Sequence, residues 1–274
     1  MSFRLIRAAV FDIDGTLALM DKDTGRYEAL PGAAATLAAC RSRGRPAIAY
    51  TNGTFFPPEH YYPKLGSAGL DFEDGYILTP AVVAAHELRK AGYKRVMLLG
   101  AEGTRLPIEA QGIETVAPTE ATGGIDAIML SWTKSFDSRD LEAICKAVWA
   151  GAPVFAGSNA PFIAGAKGKI LGISGAVSAM VEHATGVKPT VLGKPSAFGL
   201  EMITSMTGVP ASQMIVVGDD PTLEIRMARK AGALAVGVTT GLADETAFQS
   251  EPEDVRADFI LPSLKPLAEQ PWFA

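Results

Sequence analysis

The sequence predicts an α/β fold built on a doubly wound parallel sheet. Two observations carry that expectation. Short apolar runs alternate with amphipathic helical stretches along the whole 274-residue chain. The runs are rich in β-branched residues and do not alternate polar with apolar, which suits strands covered on both faces. No Pro- or Ser-rich linker marks a boundary, so any second domain must be inserted through short hinges.

The elements follow in order. Residues 5–11 form the first apolar run. A helix from about Gly32 carries Leu37 and Cys40 on its apolar side, with Gly44 suited to close it. Residues 47–50 form the second run, and the helix after Pro57-Pro58 carries Tyr61, Tyr62 and Leu65 and stops by Gly69. The middle repeats the theme with a helix over 80–91, strands at 96–99 and 125–130, and a helix whose Leu141, Ile144, Cys145, Val148 and Trp149 recur at one-face spacing. A strand at 153–156 and a helix over 173–184 come next. The last third offers strands at 190–192, 214–217 and 234–238, with helices over 198–206 and 222–231, the latter closed by Gly232.

Composition narrows the function. Hydrophobic residues make up 48% and charged residues 20%, a globular balance that argues against disorder. The 25 Lys and Arg against 30 Asp and Glu leave a net charge of −5 without a basic tract, which disfavours a nucleic-acid binder. Apolar runs fall far short of the ~20 residues of a membrane span. The first residues show no signal-peptide pattern, so a reducing cytoplasm is the expected location. Cys40 and Cys145 are expected as buried free thiols. His60, His86 and His183 are isolated and form no metal-ligand spacing.

Four strand ends carry chemistry. The first strand runs into Asp12-Ile13-Asp14-Gly15-Thr16, where carboxylates two apart leave an extended segment on one side and Gly15 permits a turn. The second leads into Thr51-Asn52-Gly53-Thr54, and later strands into Gly193-Lys194-Pro195 and Gly218-Asp219-Asp220. Open α/β sheets bind ligands beyond the carboxyl ends of their strands, so one sheet edge would gather all four. Acids brought together repel unless a cation sits among them. Oxygen donors without His or Cys suit Mg²⁺, and hydroxyl, amide and ammonium donors suit a phosphoryl group.

In these four motifs and their order the chain resembles the haloacid dehalogenase (HAD) superfamily of phosphatases. The long stretch between the second and third motifs resembles subfamily IIA, the p-nitrophenylphosphatase-like group. The resemblance implies an inserted α/β cap domain over about 77–188, with a core of 1–76 and 189–274. It implies a phosphomonoester hydrolase acting on a small phosphorylated metabolite, with Asp12 as the nucleophile of an aspartyl-phosphate and Asp14 as general acid and base. Mg²⁺ would be held by Asp12, the backbone carbonyl of Asp14, and Asp219. Thr51, Asn52 and Lys194 would bind the phosphoryl oxygens and neutralise charge.

The chain departs from the subfamily pattern at Leu223 and Glu224, which stand where the group usually carries Thr and Asp. Glu224 and Asp220 are therefore candidates for an outer carboxylate near the metal's waters. In the cap, Gly157-Ser158-Asn159-Ala160-Pro161-Phe162 follows a predicted strand, and Asn159 is the candidate substrate contact, with Lys167 and Lys169 just beyond. The expected partner is a small phosphate ester, with no nucleic acid and no membrane; a homodimer is left open. A phosphotransferase or mutase of the same superfamily remains the alternative, as does a binding or regulatory protein that has lost catalysis.

Overall fold

The strand Ala8–Phe11 consists of four apolar residues, all buried, and can therefore sit inside a sheet covered on both faces. In the computed structural model, which describes residues 5–21, 24–165, 168–270 and 273, it does so. The chain divides into two compact units. The first comprises Met1–Thr51, Glu59–Leu78 and Lys194–Ala274, and the second Asn52–Pro58 and Thr79–Gly193.

The sheet of the first unit has six parallel strands in the spatial order Phe259–Leu261, Leu234–Val238, Met214–Gly218, Ala8–Phe11, Ala47–Tyr50 and Ile77–Leu78. The chain starts in the middle, winds one way through three strands, then returns beside its start and winds the other way. The reversal falls between Ala8–Phe11 and Met214–Gly218, whose register pairs Ala8 with Met214 and Phe11 with Val217. Such a switch point opens a crevice at the carboxyl ends of its two strands. Beneath it lies a core of Phe11, Ile13, Leu17, Leu37, Tyr61, Leu65, Val217 and Val236, all buried. Truncating a residue such as Phe11 to Ala there would cost about 3–5 kcal/mol.

The second unit holds a five-stranded parallel sheet in the order Thr190–Val191, Val154–Ala156, Ala127–Leu130, Arg95–Leu99, Glu114–Val116. Its switch point lies between Arg95–Leu99 and Ala127–Leu130. The helix Ser138–Trp149 starts at a capping box, in which the Asp137 side chain accepts from Asp140 N and the Asp140 side chain accepts from Asp137 N. It packs Ile144 and Val148 on Met97, Leu99, Ile128 and Leu130.

Several expectations need correction. Ile77–Leu78 pairs with Ala47–Tyr50 in the first sheet, and Thr190–Val191 pairs with Val154–Ala156 in the second. The compact units therefore divide after Leu78 and after Gly193, where the resemblance implied bounds of about 76/77 and 188/189. Both strands are two residues long, too short for a pattern to assign them to a sheet. Trp149 shares the spacing of the buried helix face but ends the helix and is largely exposed. The helix expected over 222–231 opens as a π-helical turn, Pro221–Ile225, before the α-helix Arg226–Ala231. Among the elements that escape the sequence pattern are the hairpins Ala18–Met20 with Tyr27–Ala29 and Phe162–Gly165 with Gly168–Leu171, the strands Glu114–Val116 and Phe259–Leu261, and the helices Glu245–Ser250 and Glu102–Glu109, the last of which contains Pro107. The strands and the helix Glu245–Ser250 are short, and Glu102–Glu109 carries a residue that normally ends a helix.

Cys40 and Cys145 are buried and unbonded, and burial pushes the Cys40 thiol up to about 11. Among the described residues, no helix is long and apolar enough to cross a membrane.

Candidate active site

Parallel pairing continues one residue past the first strand, where Asp12 N donates to Val217 O at 3.0 Å. From there the chain alternates: Asp12 is buried at the sheet edge, Ile13 points into the core with no exposure, and Asp14 emerges into solvent. Gly15 then turns the chain at φ +90°, and its N–H donates to Ala18 O at 2.9 Å.

Among the described residues, the buried charged side chains are Asp12, Lys194, Asp219 and Glu224, and all four gather at this switch point. Charged side chains are rarely buried without a partner or a task, and this concentration makes the switch point the candidate site. Lys194 is the hub. Its Nζ donates to Asp12 Oδ1 and to Tyr50 O (2.8 Å), pairs with Glu224 Oε1 at 2.5 Å, and lies 5.5 Å from the centre of the Tyr50 ring.

Asp219 is held by close backbone approach. Its Oδ2 accepts from Leu242 N at 2.9 Å. A Cβ on Gly15 would come within 2.4 Å of that oxygen, and one on Gly241 within 2.0 Å, so both positions exclude a side chain. Glu224 lies against Gly218, whose added Cβ would meet Glu224 Cγ at 2.3 Å, and its Oε2 accepts from Asp220 N at 3.2 Å. The π-helical turn that carries Glu224 directs it to Lys194, a use of wide turns common at functional sites.

Burial raises Asp12 to about 6 against the pull of Lys194, and Asp219 and Asp14 push the same way. Burial likewise raises Asp219 to about 6, helped by Glu224, and Glu224 to about 7, opposed by Lys194. Burial alone would lower Lys194, but Asp12 and Glu224 outweigh it and hold the ammonium above its ordinary value. Three buried carboxylates face one buried ammonium, so full ionisation leaves two negative charges, which one divalent cation would balance. The donors are all oxygens. Among the described residues, no three His, Cys, Asp or Glu side chains converge as a complete cage. Mg²⁺ fits such a set, because it takes one or two carboxylates and keeps water and phosphate for its other positions.

The other expected residues lie as follows. Thr51 is buried, and its N–H donates to Leu78 O at 3.1 Å. Asn52, the next residue, is the first of the second unit. Asp220 Oδ1 accepts from both the N–H and the hydroxyl of Thr222 at 2.7 Å, so it caps the π-helical turn. Asn159 is exposed in the second unit. Lys167 and the side chain of Lys169 lie outside the described residues. Sequence reasoning missed Gly241 and Leu242, which follow the strand Leu234–Val238 without a polar signature, and the Tyr50 carbonyl, which no side-chain pattern can reveal.

A haloacid dehalogenase-like hydrolase family model matches residues 9–114, and a HAD-hydrolase-like model matches 191–267. The chain is 25% identical to the dihydroxyacetone phosphatase of Corynebacterium glutamicum, over 94% of this chain and 89% of that protein. It is 26% identical to the ribonucleotide monophosphatase NagD of Escherichia coli, over 94% and 97% respectively. Its fold superposes on the 4-nitrophenylphosphatase of Thermotoga maritima with a TM-score of 0.85 and 25% identity, covering 98% of each chain. The Lys194 motif follows a strand of the second sheet, so the expectation that one sheet edge supplies all four motifs does not hold. By these matches the chain belongs to the haloacid dehalogenase-like hydrolases, in their subfamily IIA, p-nitrophenylphosphatase-like group.

Proposed function

We propose that the protein is a Mg²⁺-dependent phosphomonoester hydrolase that acts on a small phosphorylated metabolite through an aspartyl-phosphate on Asp12. The observation that carries this reading is the buried cluster of Asp12, Lys194, Asp219 and Glu224 at the sheet's switch point. The named relatives are phosphatases, which agrees with it.

An Asp12 carboxylate oxygen attacks phosphorus as the ester P–O bond breaks. Asp14, exposed two residues on, gives its proton to the leaving oxygen. It then takes a proton from water, which attacks the acyl phosphate and releases inorganic phosphate with Asp12 restored. Lys194 fixes Asp12 in place and offsets charge on the transferring group, with Thr51 and Asn52 as further phosphoryl donors. Mg²⁺, when bound by Asp12, Asp219 and the Asp14 carbonyl, supplies charge neutralisation at the phosphoryl oxygens. Asn159 is proposed as a substrate contact in the second unit, taken as the cap domain.

The test is phosphate release from p-nitrophenyl phosphate, with and without Mg²⁺, by the parent and by Asp12→Asn. Chelation should abolish turnover, and the variant should lose on the order of 10⁴-fold or more while remaining cooperatively folded. Turnover that survives both changes would overturn the reading. A panel of phosphorylated metabolites then identifies the substrate.

A further inference from the structure

The second unit does something unusual with the edge where a parallel sheet normally binds a ligand. The segment Asn52–Pro58 belongs to this unit although it is separated in sequence from the rest. It crosses the carboxyl ends of four of the five strands. Beyond Thr190–Val191, a Cβ on Gly193 would meet Asn52 Oδ1 at 2.8 Å. Beyond Val154–Ala156, one on Gly157 would meet Thr54 Cγ2 at 3.3 Å. Beyond Arg95–Leu99, one on Gly103 would fall 2.5 Å from both Thr54 O and Phe55 C. Beyond Ala127–Leu130, the Trp132 ring stacks on Phe55 with centroids 3.9 Å apart and planes 31° from parallel.

Gly103 thus lets the segment's backbone approach where a side chain would clash, Gly157 and Gly193 leave room for its Thr54 and Asn52 side chains, and one aromatic pair fastens it. The switch point itself is closed beneath by a hydrogen bond between the buried Thr104 and Ser131 hydroxyls, 2.6 Å apart. The crevice that a sheet of this order offers a ligand is filled by the chain's own loop. That loop begins with Asn52, so whatever fixes the loop fixes Asn52.

We propose that Trp132 is a positioning residue for phosphoryl binding, acting through Phe55 to hold Asn52 in place. This rests on the phosphate-binding role proposed above for Asn52. Removing the stack frees the loop three residues from Asn52, and displacing a binding group by about 1 Å can cost up to about 100-fold.

Inorganic phosphate is the probe, as a competitive inhibitor of p-nitrophenyl phosphate hydrolysis by the full chain with Mg²⁺. The four proteins compared are the parent, Trp132→Ala, Asn52→Ala and the double variant. Expected is an inhibition constant raised about tenfold by Trp132→Ala in the parent but unchanged by it in the Asn52→Ala background, with Trp132→Phe restoring the parent value. If Trp132→Ala has no effect, or multiplies fully with Asn52→Ala, the positioning role is overturned while Asn52 keeps its phosphate. If Asn52→Ala itself leaves the inhibition constant unchanged, the phosphate role of Asn52 fails, and the proposal with it. Should Trp132→Ala fail to fold, Phe55→Leu takes its place in the same cycle, because Phe55 is 40% exposed and removes no core residue.

Discussion

Lys194 Nζ lies 2.5 Å from Glu224 Oε1, with both side chains almost completely removed from solvent. The same ammonium serves Asp12, so Glu224 anchors the cation that also holds the Asp12 carboxylate. Breaking a buried ion pair leaves a charge without compensation. Because Lys194 keeps Asp12, Glu224→Ala should destabilise the protein by about 3 kcal/mol, the lower end of the usual range. Glu224→Asp, which keeps the charge, should cost less. Calorimetry of the three proteins checks this, and a loss below about 0.5 kcal/mol for the alanine variant would show the pair to be ornamental.

Asp14→Asn should slow the first chemical step unequally. An alkyl leaving group needs a proton and nitrophenolate needs less help, so the loss should be larger for an alkyl phosphate. Single-turnover rates on both esters measure this, and equal losses would remove Asp14 from the acid role.

Gly241→Ala puts a methyl group 2.0 Å from Asp219 Oδ2, where only displacement of that carboxylate can relieve the clash. Asp219 would then lose Leu242 N and its proposed place beside the metal. The Mg²⁺ concentration for half-maximal activity should rise about tenfold. An unchanged Mg²⁺ requirement would separate Asp219 from metal binding.

Asp126 gives a prediction about acid stability. Its Oδ2 accepts from Lys94 N (2.7 Å) and Arg95 N (2.9 Å), and these bonds hold its carboxyl below its ordinary value. A carboxyl lowered on folding contributes stability above its unfolded value and loses it as pH falls through the folded one. The gap in melting temperature between the parent and Asp126→Ala should therefore be full at neutral pH and close in acid, below the ordinary carboxylate range. A gap that stays constant would contradict the assignment.

The sequence made the site more legible than the domain junctions. Asp12 and Asp219 follow fully buried apolar strands, and a strand end is a fixed address in an α/β sheet, whereas Lys194 was legible from its Gly-Lys-Pro motif alone. Glu224 was visible as a carboxylate, but its partner was not, because a π-helical turn changes where the fourth residue after Asp220 points. The junctions stayed hidden because Ile77–Leu78 and Thr190–Val191 contribute two residues each, and only their pairing says which sheet they join. Asn52–Pro58 was hidden for a different reason. Its allegiance comes from close approaches to Gly103 and Gly157, contacts that a periodic pattern does not encode.

That allegiance bears on how such proteins could exchange parts. A recombinant made by swapping 79–193 alone would bring in a foreign sheet edge while keeping the native strip that must lie on it. A bulky residue in place of Gly103 or Gly157, or a missing ring at 132, would then meet a loop shaped for something else. The transferable module is a pair of segments, 52–58 and 79–193, and chimaeras between relatives should fold only when both pieces travel together.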